Sequence, residues 1–439
     1  MNAGLTGGLR IANRPADAAA ADLCLSDFYQ TTKFQIFEAV LELLDDVDPE
    51  AAASPRAVRA AVQEAIQRHA AREGLPLNSA ERLRLADDLQ QEVLGLGPLE
   101  PLLKDPTVDD IIVNGCRQIY VERGGRLMGV PVRFRDDAHL MNIIHRIVGP
   151  LGRRIDEASP YVDARLPDGS RVNVIIPPVA LDGPMLSIRK FRAQPMTGEA
   201  YVRSGSMSAE MLAYLSAAVR GRLNILVCGG TGSGKTTLLN MLSSYIGDGE
   251  RLITIEDAAE LQLRQAHVGR LETRPANAEG APEVSARDLL RNALRMRPDR
   301  IILGEVRGGE AVEMLQAMST GHDGSMATMH ANGCRDAFAR LEMLLGFGGM
   351  TGDVTSIRRY IASSIQLVVH VQRTASGARR VMSVTEVTGL EGDAYSLNEV
   401  FVFAETPPMS GQGEFRTLTP RPYFAERLGL VRNGPRGLV

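Results

Sequence analysis

The sequence predicts an α/β protein in which a domain built on a parallel sheet follows a mixed α/β domain and a small helical module. Three observations carry that expectation. From about residue 208 onward, short apolar strand-like runs alternate with longer helical patterns, the texture of strands that run one way and are joined by crossover helices. Between residues 98 and 197 the runs are shorter and are divided by turn pairs, NG at 114–115, GG at 124–125 and DG at 168–169. Ahead of them, residues 28–97 carry apolar residues at helical spacing. With 439 residues, 44% of them hydrophobic and 23% charged, the chain can bury a core in each of two or three domains.

Taken in order, residues 1–27 are rich in Ala, Gly and Asn without a period, and a mobile tail is expected there. Helices are expected over 34–44, 54–73 and 79–94. In the third, Ser79 and Glu81 ahead of the Leu83/Leu85/Leu89 stripe read as a cap, and Gly95, Gly97 and Pro98 end it. Strands are expected at 109–113, 119–122, 130–134, 172–176 and 185–191, with a helix over 138–148. In residues 198–406, strands at 223–228, 252–255, 300–303 and 325–330 are spaced by helices at 236–246, 285–295 and 335–345. Residues 407–439 are Gly/Pro-rich, weakly patterned and read as a C-terminal tail.

Several function classes are excluded by what is absent. The net charge of −4 provides no overall attraction for nucleic acid, so direct nucleic-acid binding is not expected. The stretch between Arg359 and Arg373 is among the longest apolar runs and is too short to span a bilayer. The N-terminus lacks the apolar core of a secretion signal, so a cytoplasmic protein without a transmembrane segment is expected. Cys24, Cys116, Cys228 and Cys334 lie roughly a hundred residues apart, which fits neither a zinc cluster nor a disulfide framework.

The chemistry concentrates after residue 228. Gly229 to Thr236 spell G-x-x-x-x-G-K-T, following an apolar strand and opening a helix. Glycines there let backbone N–H groups turn in around a polyphosphate, and the helix N-terminus adds positive potential. Gly230, Thr231, Gly232, Ser233, Gly234, Lys235, Thr236 and Thr237 are therefore the expected nucleotide-binding residues. Lys235 would reach the β- and γ-phosphates, and the Thr236 hydroxyl would hold Mg²⁺. The lysine carries unusual weight, because the chain has four lysines against forty-five arginines.

Carboxylates end two predicted strands, Glu256 and Asp257 in RLITIED, with Glu260 one turn on, and Glu305 in RIILGE. Ligands bind at the carboxyl ends of strands in open α/β sheets, so these acids are placed to hold Mg²⁺ or to activate water. His322 and His330 lie before and at the end of a further strand, and by spacing alone each is more readily a structural hydrogen-bonder than a catalyst. There is no N-K-x-D or D-x-x-G for guanine nucleotides and no LSGGQ-like signature, so the GTPase and ABC classes are set aside.

Four blocks in order, GGTGSGKTT (229–237), ITIEDAAEL (253–261), ILGEVRGGEA (302–311) and TGHDGSMATMHAN (320–332), resemble the Walker A, Asp box, Walker B and His box of the type II/type IV secretion ATPase superfamily. Upstream, GPLEPLLKDPTVDDIIVNG, IYVERGGRL, DARLPDGSRVNVIIPP and SIRKF most resemble the tight-adherence (Flp) pilus ATPases, also called CpaF-like. The resemblance implies a RecA-like ATPase domain, a homo-hexamer, ATP with Mg²⁺ as substrate and cofactor, and a position peripheral to the inner membrane against a platform protein. It implies further that Glu305 is the Walker B glutamate, that Glu256 polarises the water and that His330 senses the γ-phosphate. Arg171 and Arg189 occupy segments that in relatives reach the nucleotide across the domain cleft, and Arg165, Arg295, Arg297 and Arg307 are further candidates. A type IV secretion ATPase moving effector protein or DNA shares every one of these motifs, and a nucleotide-gated scaffold with little turnover is the non-enzymatic alternative.

Overall fold

The computed structural model describes residues 27–45, 54–73, 77–151, 153–191, 196–274, 282–407 and 410–430. The tail expected over residues 1–27 lies outside them except for Asp27, which opens the first helix. The chain divides into two compact units, up to Arg192 and from Ala193. Among the described residues no helix is long and apolar enough to cross a membrane.

The first unit begins with three helices, α1 (Asp27–Asp45), α2 (Pro55–Glu73) and α3 (Ser79–Leu94), whose apolar faces bury Tyr29, Ile36, Val40, Val58, Leu85 and Leu89. The cap of α3 is Asn78 rather than Ser79. Its side chain accepts from Glu81 N at 3.0 Å while Glu81 Oε2 accepts from Asn78 N at 2.7 Å, a complete capping box. Leu83, two residues from Leu85 and so turned away from it, is 69% exposed. A short helix, α4 (Glu100–Lys104), leads into a six-stranded antiparallel sheet.

The strands of that sheet are β1 (Asp110–Asn114), β2 (Gln118–Arg123), β3 (Arg126–Gly129), β4 (Tyr161–Arg165), β5 (Arg171–Ile175) and β6 (Met185–Arg189), in the order β3-β2-β1-β6-β5-β4. Helix α5 (Asp137–Val148) packs on it through Leu140, Ile143, Ile144 and Ile147. The strand expected at 130–134 is not there. Gly124 and Gly125 take φ of +54° and +83°, turning the chain straight back so that Arg126 pairs with Arg123. The run 130–134 leaves the sheet, and Phe134 is buried in the core beside it.

One buried charge cluster joins the helices to this sheet domain. Lys33 Nζ donates to Glu92 Oε1 at 2.8 Å, and His139 Nε2 lies 2.9 Å from Glu92 Oε2. Lys33 of α1 and His139 of α5 thus meet at the one carboxylate of α3, and Arg146 of α5 donates to the Glu92 backbone carbonyl. Burial opposes the charge on Glu92, but His139 and Lys33 outweigh it and hold its pKa below the usual carboxylate value.

The second unit holds a nine-stranded sheet in the order β15-β14-β13-β12-β7-β11-β10-β8-β9. Its parallel half comprises β7 (Ile225–Gly229), β8 (Leu252–Glu256), β9 (Val268–Glu272), β10 (Arg300–Val306), β11 (Met326–Met329) and β12 (Leu367–Arg373). With β7 between β12 and β11, and β10 between β11 and β8, this is the RecA-like order that the motifs imply. Alternate residues of β7 feed two cores, Ile225 and Val227 on one face and Leu226 and Cys228 on the other. Helices α6 (Gly198–Arg203), α7 (Ala209–Arg220) and α8 (Lys235–Ser243) serve the first core. Helices α9 (Ala286–Ala293), α10 (Ala311–Ser319), α11 (Cys334–Phe347) and α12 (Val354–Ser364) serve the second.

Beyond β12 the sheet continues as an antiparallel meander, β13 (Arg379–Glu391), β14 (Ala394–Glu405) and β15 (Gly413–Thr417). Residues read as a tail thus supply a strand, and Phe424 and Leu428 pack on the first core. Glu386, fully buried, pins them there. Its carboxylate accepts from Tyr214 Oη at 2.7 Å, Asn398 Nδ2 at 2.6 Å, Tyr423 N at 2.7 Å and Phe424 N at 3.0 Å.

Candidate nucleotide-binding site

The site gathers at the carboxyl ends of β7, β11, β10 and β8, where parallel strands leave a crevice for ligands. Strand β7 ends at Gly229, and that glycine is required by β12. A Cβ there would strike the Val371 carbonyl and come within 2.6 Å of Ser233 Oγ. The loop then turns through Gly232 (φ +68°) and Gly234 (φ +96°), left-handed conformations that suit glycine, and Gly234 caps α8. Thr231 is exposed at the tip, Ser233 and Lys235 are buried, and Thr236 and Thr237 lie half-buried in the first turn of α8.

Inside the loop, Gly230 O accepts from Ser233 Oγ at 2.8 Å and from Lys235 Nζ at 3.0 Å. Burial lowers the Lys235 pKa, while Glu305 partly restores it. The ammonium also lies 3.3 Å from His330 Nε2, at the end of β11. Lysine can only donate, so in that bond Nε2 accepts and the ring proton sits on Nδ1. Burial and the neighbouring Lys235 charge both lower the His330 pKa, in keeping with a neutral ring.

Glu305 Oε1 lies 2.9 Å from the same Nε2, yet it has no hydrogen-bond donor and is buried. With the ring proton on Nδ1, Nε2 has none to give, so Oε1 lacks a donor and the two acceptors face each other across 2.9 Å. The other oxygen, Oε2, accepts from Arg307 at 2.5 Å, and Arg307 reaches Asp257 Oδ2 at 3.1 Å. Arg307 therefore ties the end of β10 to the end of β8. It is a site residue here, not an arginine arriving from elsewhere.

Glu256 ends β8 and is 4% exposed. Its Oε2 accepts from Glu260 N at 2.7 Å and Leu261 N at 2.9 Å, while Oε1 is buried without a partner. Burial raises its pKa against the lowering effect of those two N–H groups. Strand β10 makes room for it with Gly304, where a Cβ would stand 2.9 Å from Glu256 Cγ. That contact is a physical reason for glycine before Glu305.

Other candidates fall elsewhere. His322 precedes β11, and Arg295 and Arg297 precede β10, so all three sit at the opposite end of the parallel strands from the phosphate loop. Arg171 and Arg189 belong to the first unit, where they are direct cross-strand partners. Arg165 pairs with Arg171, and Asp110 pairs with Arg189 and accepts from its Nε at 3.1 Å. The three arginines thus line one end of β4, β5 and β6 on a single face. The sequence reading missed Arg379, whose Nε donates to Gly232 O at 3.0 Å from the start of β13.

Comparison with known proteins places the chain among relatives of one family. A family model described as "Type II/IV secretion system protein" matches residues 92–396. A Mycobacterium tuberculosis protein named "Putative conjugal transfer protein" is 39% identical over 310 residues, covering 69% of this chain and 88% of the relative. The conjugal transfer protein TrbB of Rhizobium radiobacter is 32% identical over 299 residues, covering 67% and 88%. Among solved structures, the VirB11 ATPase from the Brucella suis type IV secretion system, in complex with sulphate, is similar at 32% identity, with 66% of this chain and 95% of that chain covered and a TM-score of 0.37.

Proposed function

The chain belongs to the type II/IV secretion system protein family, and on that premise we propose that it hydrolyses ATP with Mg²⁺ to drive a secretion machine at the bacterial inner membrane. One observation carries the reading. Lys235, His330, Glu305, Arg307 and Asp257 form a continuous chain of contacts between the phosphate loop and the ends of three neighbouring strands. At the ends of those strands Glu305 Oε1 and Glu256 Oε1 are buried without donors, two idle acceptors within one crevice.

Such oxygens suit water or a cation. Thr236 and Glu305 would hold Mg²⁺, which when bound neutralises charge on the phosphates. Glu256, with a raised pKa and an idle oxygen, is the group to orient and polarise the attacking water. Lys235 would exchange Gly230 O and His330 for phosphate oxygens, freeing His330 to respond to the γ-phosphate. Arg171 and Arg189, with Arg165 beside them in the first unit, are rigid, always-charged groups of the kind that suits phosphate. Membership of the family is what supports a homo-hexamer, in which neighbours would close each other's sites.

As to cargo, relatives named for conjugal transfer and type IV secretion support a type IV secretion ATPase moving protein or DNA. The tight-adherence pilus reading is supported by the segments from residue 97 to 191 and shares the chemistry. A platform protein in the membrane would be the partner in either. The test is phosphate release from ATP by the full chain and by Lys235→Ala. Turnover that Lys235→Ala abolishes is expected, and equal rates would refute the reading. Introducing the same allele into the source cell and scoring pilus display against conjugal transfer separates the two cargoes.

A further inference from the structure

The turn between β12 and β13 lies outside the four motif blocks, yet it runs along the phosphate loop. Arg373 ends β12 and Arg379 opens β13, and the turn is closed by Thr374 N donating to Ala378 O at 2.8 Å. Arg379 Nε donates to Gly232 O at 3.0 Å, and its Cδ lies 3.3 Å from where a Cβ on Gly234 would stand. An Arg373 guanidinium nitrogen lies 4.0 Å from the corresponding position on Gly232. Val371 bears on Gly229 at the other end of the loop.

The bond to Gly232 has a consequence for anion binding. In a trans peptide the C=O and N–H point opposite ways. Holding the Gly232 carbonyl on the hairpin side aims the Ser233 N–H away from it, where its contact with Gly230 O is long, at 3.4 Å. A weakly bonded N–H is one the loop can offer to phosphate. Among the described residues Arg379 has no carboxylate partner, and its two terminal nitrogens have no acceptor. Its charge therefore stays available beside the loop.

We propose that Arg379 is a positioning residue for nucleotide binding, which presets the phosphate loop for the polyphosphate of a nucleoside di- or triphosphate and adds positive charge beside it. The proposal rests on the ATPase reading above and deepens it. Because Arg379 acts on the resting loop, it stabilises the bound substrate and the transition state alike, so its removal falls on KM and not on kcat.

The test is steady-state ATP hydrolysis by the full chain, wild type against Arg379→Ala, with thermal unfolding as a check on the fold. A KM raised about tenfold with kcat within about twofold of wild type is expected, the loss of one charge-assisted hydrogen bond. Unchanged KM overturns the proposal, as does a tenfold fall in kcat at unchanged KM. If Arg379→Ala does not fold, Arg379→Lys decides, since it keeps the charge but has no Nε at that point. A KM raised at least about threefold supports the proposal, and a wild-type KM overturns it. A wild-type chain with no turnover and no binding of a fluorescent ADP analogue would instead overturn the ATPase reading, and this inference with it.

Discussion

Replacing Glu256 by glutamine separates catalysis from stability. The side chain is 4% exposed, and one carboxylate oxygen is buried with no donor while the other accepts two backbone N–H bonds. Burial raises the folded-state pKa above the unfolded value of about 4.3. A raised folded pKa gives stability that is full below the unfolded pKa and is lost as pH rises through the folded one. At pH 7.5 the ionised Glu256 is therefore a net cost to the fold. Glutamine keeps the oxygen that accepts the two N–H bonds and removes the charge, but sets an NH2 where Oε1 has no partner, so the net gain is at most about 1 kcal/mol. For a unit of this size that is a rise in Tm of at most about 2–4 °C at pH 7.5, shrinking towards zero below about pH 4. If Glu256 polarises the water, kcat falls by about 10²–10⁴ in the same variant. Differential scanning fluorimetry at both pH values, with phosphate release beside it, reads both effects. A fall in Tm at pH 7.5 that persists at pH 4, or wild-type turnover, would refute the reasoning.

Three further outcomes follow from particular contacts. Gly304→Ala places a Cβ 2.9 Å from Glu256 Cγ and is expected to cost about 1–3 kcal/mol in chemical denaturation. At least half of that should disappear when the same change is made in Glu256→Ala, a coupling that distant sites would not show. Arg307→Ala breaks the link between Glu305 and Asp257. Its side chain is 59% exposed, so Tm should barely move while kcat drops at least about tenfold, and unchanged turnover would make the link incidental. Glu386→Ala removes the acceptor of four donors, among them the buried Tyr214 hydroxyl, and should cost about 3 kcal/mol, with residues 410–430 cut early in limited proteolysis.

What the sequence could reveal followed from how local each signal is. The phosphate loop is contiguous, and its glycines serve φ values that a reader can anticipate, so Gly232, Gly234 and Lys235 were legible residue by residue. The acids were legible because parallel strands bring their carboxyl ends together, which singles out Glu256 and Glu305. The same rule sorts the histidines, since His330 follows β11 and His322 precedes it. Arg379 was not legible, because its contact with Gly232 spans 147 residues and it is one of forty-five arginines. Nor was the need for Gly304, which lies in the shape of a side chain on the next strand. In the first unit the Gly124–Gly125 turn set β3 four residues earlier than its apolar run suggested, since turn geometry fixes a hairpin's register more firmly than hydrophobicity does. The β13–β14 hairpin was missed because its burial follows no clean alternation.

The most direct measurement is the specific rate of phosphate release from ATP with Mg²⁺ as a function of protein concentration, for the wild type and Lys235→Ala. A wild-type rate per chain that climbs and then saturates, with Lys235→Ala flat at background, is expected of a site completed by assembly. A rate that Lys235→Ala shares would contradict the claim that this loop is where ATP is turned over.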